Sequence, residues 1–110
     1  MNTDYCIVLC TCPDSATAEI IARQIADLKL VACTNIIPHL TSIYPWQGKM
    51  VQGCEALLIM KTHQSKLEEL EKSIVSVHPY EFPEFIALPI IYGNAPYLQW
   101  VNKVVFNKET

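Results

Sequence analysis

The chain has 110 residues and a mass of 12.5 kDa, enough for one compact domain spanning 1–110 and too little for two. It is 51% hydrophobic but only 17% charged, where about 25% is usual, so a domain this small has more apolar surface than its own core takes up, and self-association is expected. A net charge of −3 with no run of Lys or Arg argues against nucleic acid as a partner.

From Asp4 to Cys12 the chain is apolar at nearly every position, with no Gly or Pro, which predicts a strand buried on both faces at the centre of a sheet. Pro13-Asp14-Ser15 ends it, and Asp14 or Ser15 caps a helix running to about Lys29 with Ile21, Ile25 and Leu28 as its buried stripe. Ala32 to Trp46 is β-rich but holds Pro38 and Pro45, which cannot donate to a ladder, so this strand belongs at an edge and is kinked. Gln47-Gly48-Lys49 turns the chain, and Met50 to Thr62 returns as a proline-free strand, giving a long hairpin. Ser65-x-x-Glu68 has the form of a capping box, followed by Leu67, Leu70, Ile74 and Val77 at helical spacing. His78 to Glu84 is kept out of a helix by Pro79 and Pro83. Phe85 to Tyr92 then reads as an edge strand holding Pro89. A last helix runs from Asn94-Ala95-Pro96 to about Phe106, with Tyr97, Trp100, Val101 and Val104 as its apolar face.

The order β-α-β-β-α-β plus a terminal helix, with proline in the second and fourth strands only, places strands one and three inside. This is the 4-1-3-2 antiparallel sheet of a split βαβ, ferredoxin-like α+β sandwich. Fourteen-odd residues of hairpin strand extend about 45 Å at roughly 3.3 Å per residue, beyond the approximately 30 Å of such a domain, so the hairpin overhangs its own body. Ile43, Tyr44, Trp46 and Met50 on that overhang would be an aggregation hazard without a neighbouring chain.

Five cysteines, an odd number in a chain with a full apolar core, read as reduced thiols. No stretch approaches the roughly 18 apolar residues of a membrane span, and Met1-Asn2-Thr3-Asp4 lacks the basic start of a secretory leader, so a cytoplasmic location is expected. Cys6, Cys10 and Cys12 share one strand face. Cys10 and Cys12 stand about 6.5 to 7 Å apart at Cα, within reach of one soft ion, and equally at home as small packing residues. Cys6, Cys33 and Cys54 read as packing residues, and His39 and His63 as exposed. His78-Pro79-Tyr80-Glu81-x-Pro83-Glu84 is the densest polar cluster, a rigid loop suited to holding ligands or to bonding backbone. Catalysis finds no support: there is no nucleophile elbow and no glycine-rich phosphate loop, and the lone Arg23 lies in a helix.

Ala32-Cys33-Thr34-Asn35-Ile36-Ile37-Pro38, Ser42-Ile43-Tyr44-x-Trp46-x-Gly48-Lys49, Lys61-Thr62, the His78 to Glu84 loop and Leu98-x-Trp100 occur in an order that resembles the CutA family of divalent-cation tolerance proteins. The resemblance implies a homotrimer with a PII-like architecture and tolerance to copper and other divalent metals. It implies a copper site in which Cys10 matches a first-strand Cys and His78 the second of two adjacent His, Val77 standing at the first; Cys12 and His39 are the nearest replacements. The alternative is a PII-like signalling or scaffold module whose clefts between subunits take a small molecule or a protein partner.

Overall fold

The computed structural model describes residues 3–106. Four strands, β1 (Tyr5–Cys12), β2 (Cys33–Trp46), β3 (Lys49–His63) and β4 (Ile86–Pro89), form one sheet in the order β2-β3-β1-β4, with every pairing antiparallel. Three helices, α1 (Ser15–Asp27), α2 (Leu67–Val77) and α3 (Ala95–Val105), complete the expected α+β sandwich, and the two proline-free strands are the central ones.

The core lies between the sheet and α1 with α2. Val8, Cys10 and Cys12 from β1 and Ala56, Leu58 and Met60 from β3 meet Ala18, Ile21 and Ile25 of α1 and Leu70 and Ile74 of α2. Only that face of β1 is fully buried; Tyr5, Ile7, Leu9 and Thr11 on the other face are half-buried, not enclosed as their apolar pattern predicts. Helix α3 packs against β3 on that side, with Phe106 at its end edge-on to His63, and covers the second face only in part.

Helix ends account for the other departures. Asp14 is the cap of α1, its Oδ1 accepting from the Thr17 amide at 2.7 Å, and those hydrogen bonds hold its carboxyl below the usual value of 3.8. The helix stops at Asp27, Lys29 turns the chain at φ 59°, and Leu30 enters the core where Leu28 was expected, leaving Leu28 exposed. The capping box does not form. His63 Nδ1 accepts from the Ser65 amide at 3.1 Å, a 3₁₀ turn (Gln64–Lys66) precedes α2, and Glu68 faces Lys72 at 3.7 Å instead. His63 at the end of β3 reaches the free amide first, and its ring is held edge-on between Tyr5 and Phe106, so it is not an open surface residue. At the end of α2, Val77 is exposed. On α3, Val101 and Val105 are the buried residues, while Tyr97 and Trp100 stay open to solvent.

The second strand carries the predicted kink: the register shifts between Ile37 and Leu40, with His39 at φ 59° and exposed. Gln47 at φ 52° and Gly48 at φ 79° make a two-residue turn of the kind that suits twisted hairpins. Strand β4 is shorter than expected because Pro89 cannot donate, although Ile90 still donates to the Tyr5 carbonyl at 3.0 Å. The molecule measures 47 × 30 × 23 Å with a radius of gyration of 14.8 Å, above the about 13 Å of a compact chain this long, and the hairpin arm is what projects. Ile43 and Met50 are 64% and 71% exposed there.

Candidate functional site

Two features meet where β1 ends beside the loop that follows α2. The first is a cluster of Cys10, Cys12 and His78, whose ligand atoms all lie within 4.8 Å of one another, each residue buried. Alternation along β1 turns both thiols to the helix side, as their spacing requires. His78 arrives by a different route. It precedes Pro79, which disfavours helical backbone, so α2 ends at Val77 and His78 adopts φ −73°, ψ 136°, while its amide still donates to the Ile74 carbonyl at 2.9 Å.

The imidazole is tied at both nitrogens: Nδ1 accepts from the Tyr80 amide at 3.1 Å, and Nε2 lies 2.8 Å from the Thr11 carbonyl. One neutral tautomer satisfies both contacts, with the proton on Nε2 donating to Thr11. The hydrogen bond shared with Cys12, together with burial, pushes the Cys10 thiol well above its ordinary value, and the same bond draws Cys12 below its own. Cys12 therefore gives up its proton first.

Two sulfurs and one imidazole nitrogen form a soft to borderline donor set, which fits Cu(I) or Zn(II) by ligand type. Of the residues singled out in the sequence, Cys10 and His78 come together and Cys12 joins them, while Val77 beside His78 is exposed. His39 is exposed on the bulge and takes no part. Among the described residues this is the one group of three metal-capable side chains that converges. All five cysteines are free thiols; Cys54 is exposed and not a packing residue.

The second feature is a cleft of about 620 Å³ between the hairpin arm and the 79–84 loop, lined by Tyr44 and Trp46 of β2, Glu55 of β3, and Tyr80, Phe82 and Glu84 of the loop. Its floor is tied by the Tyr80 hydroxyl, which donates to Glu55, a carboxylate only 9% exposed. Burial and that bond push the Tyr80 phenol above the ordinary value of 10.0. Glu55 is the functional residue that sequence reasoning missed. The available signal was its position, a lone acid heading the apolar run Ala56 to Met60, where an unpartnered charge would be costly.

Residues 6–104 match the family model of the CutA1 divalent ion tolerance protein. The chain is similar to the protein CutA homolog of Xenopus laevis, at 50% identity over 95 residues, covering 86% of this chain and 63% of that protein. It therefore spans less than two-thirds of that vertebrate relative's length. The divalent-cation tolerance protein CutA of Escherichia coli is 44% identical over 101 residues, 92% of this chain and 90% of its own length. The crystal structure of CutA from Xylella fastidiosa superposes with a TM-score of 0.91 at 35% identity, covering 94% of this chain and 99% of that one. With a family model matched over nearly its whole length, this chain belongs to the CutA1 divalent ion tolerance family.

Proposed function

We propose that this protein binds a soft or borderline divalent-type metal ion, copper foremost, through Cys10, Cys12 and His78, and does so as a homotrimer in a reducing compartment. The observation that carries the metal reading is the convergence of three buried donors on β1 and the loop after α2. Each thiol must lose its proton and His78 must release one of its backbone contacts, so binding expels protons and strengthens as pH rises. The bond shared with Cys10 favours the Cys12 thiolate, and the ion's charge must offset the cost of burying a thiolate at Cys10.

Assembly is supported by the half-buried face of β1 and by Ile43 and Met50 on the projecting arm, apolar surface that a single chain leaves to water. The membership in a divalent ion tolerance family agrees with a metal-linked role.

The test is calorimetric titration of the full chain with Cu(I) under reducing conditions, with Cu(II) and with Zn(II). Saturable uptake of one ion per chain is expected, lost in Cys12→Ser and weakened in His78→Ala. Absence of saturable heat with all three ions, or uptake unchanged in Cys10→Ser and Cys12→Ser, removes metal binding as the function of this cluster.

A further inference from the structure

The cleft beside the thiol cluster has its own chemistry. At about 620 Å³ it falls within the range of small-molecule sites. Three carboxylates line it, Glu55, Glu81 and Glu84, and no Lys, Arg or His among the lining residues balances them. A concave surface of one sign with low-dielectric walls concentrates ions of the other sign and repels phosphates and carboxylates. Those three carboxylates are not arranged for a bare divalent ion, because they do not form a converging group of the kind that Cys10, Cys12 and His78 do, and a hard cation needs six or more oxygens closing around it.

The remaining walls are aromatic. Trp46 and Phe82 meet edge to face at 6.4 Å between centroids, Tyr44 stands two residues before Trp46 on the same face of the strand, and Phe82 is 73% exposed. Large rings facing water beside uncompensated negative charge form the environment that attracts a weakly hydrated, carbon-clad cation, which gains from ring electrons and from apolar burial together. We infer that the cleft binds a small organic cation, a substituted or quaternary ammonium, with Trp46, Phe82 and Tyr44 around the charged head and Glu81 and Glu84 supplying the field. The Tyr80–Glu55 tie fixes the floor on which the ligand rests. Alternation along the arm turns Met50 to the face away from Tyr44 and Trp46, so a neighbouring copy can cover that apolar face while the cleft stays open, with Ile43 at the border of the two.

The inference is independent of metal binding and is tested on the full-length chain at its native oligomeric state, with choline, its neutral isostere 3,3-dimethyl-1-butanol and benzyltrimethylammonium as probes. Calorimetry and tryptophan fluorescence should show both cations binding saturably, choline about 5- to 30-fold tighter than the isostere, with affinity falling as salt is raised. Trp46→Leu should weaken benzyltrimethylammonium by a similar factor and Glu84→Gln by a few-fold, with circular dichroism and particle mass unchanged. Should Trp46→Leu alter the particle, Phe82→Leu at its exposed position decides instead, and retention of full affinity there overturns the inference. Equal affinity for choline and its isostere, or no saturable binding of either cation, also overturns it. The double variant Cys10→Ser with Cys12→Ser should leave cation binding intact; its loss would assign the signal to the thiol cluster and reject the cleft.

Discussion

Replacing Tyr80 by Phe removes one oxygen and leaves the ring, so it isolates the hydroxyl that joins the loop to the hairpin. In the native chain that hydroxyl donates to Glu55, a carboxylate 9% exposed. Hydrogen bonds to charged groups contribute about 1.5 to 3 kcal/mol, and the variant leaves the carboxylate buried without its donor, so a loss of that size is expected. With an unfolding entropy of about 2.1 cal/mol/K per residue over 110 residues, 1 kcal/mol corresponds to about 4 °C, and Tm should fall by about 6 to 13 °C at fixed protein concentration. Glu55→Gln keeps an acceptor for the phenol and should cost less, about 1 kcal/mol, and the double variant should show a coupling energy above about 1 kcal/mol. Urea denaturation of the four proteins measures all three quantities. The phenol's pKa is raised in the folded state, so its contribution is complete below the unfolded value of 10.0 and is lost as pH climbs from there toward the higher folded value. Stability of the native chain should therefore decline above pH 10.0 more steeply than that of Tyr80→Phe. A Tyr80→Phe chain within about 0.5 kcal/mol of the native one, with no coupling to Glu55, would refute the assignment of this bond as the tie between loop and arm.

Thr62→Val should cost about 1 to 2 kcal/mol by urea denaturation, because the buried Thr62 hydroxyl donates to the Leu30 carbonyl at 2.6 Å and valine leaves that acceptor without it. Asp14→Ala should lower stability at neutral pH, and since the Asp14 pKa is depressed, the difference should vanish as pH falls below 3.8 and the native carboxyl protonates; parallel curves down to pH 2 would contradict the cap. Light scattering near neutral pH without metal should give three times the 12.5 kDa chain mass, and a monomer would dismiss the trimer. Ile43→Glu or Met50→Glu should shrink that particle while far-ultraviolet circular dichroism stays native; full-size particles in both would show that this face of the arm is not an interface.

Much of this architecture is legible in the sequence because proline and periodicity act locally. Pro38, Pro45 and Pro89 identify the outer strands, and the alternation of Cys6, Val8, Cys10 and Cys12 gives the inward face of β1, all without reference to distant residues. What the sequence concealed depends on partners far along the chain. Leu28 looks like the next rung of a stripe, yet the helix ends before it and Leu30 fills the space. Ser65 has the spacing of a cap, but His63 holds the amide. The shared face of Cys10 and Cys12 is readable from strand alternation, whereas the convergence of His78 on both follows from how α2 delivers it to the end of β1. Glu55 gave the weakest signal, since its meaning rests on a phenol 25 residues away.

The bulge at Pro38 and His39 has a consequence for how this chain tolerates changes of length. Two residues of β2 there oppose one of β3, and beyond them the rungs from Leu40↔Glu55 to Trp46↔Lys49 run in regular step. Deleting His39 would leave those rungs matched and change only the angle at which the arm leaves the body. A single deletion elsewhere in β2 would exchange inward for outward residues along the strand. One position thus works as an adjustable joint in an otherwise indexed ladder, allowing the direction of the arm to be altered without rewriting the residues that pair along it.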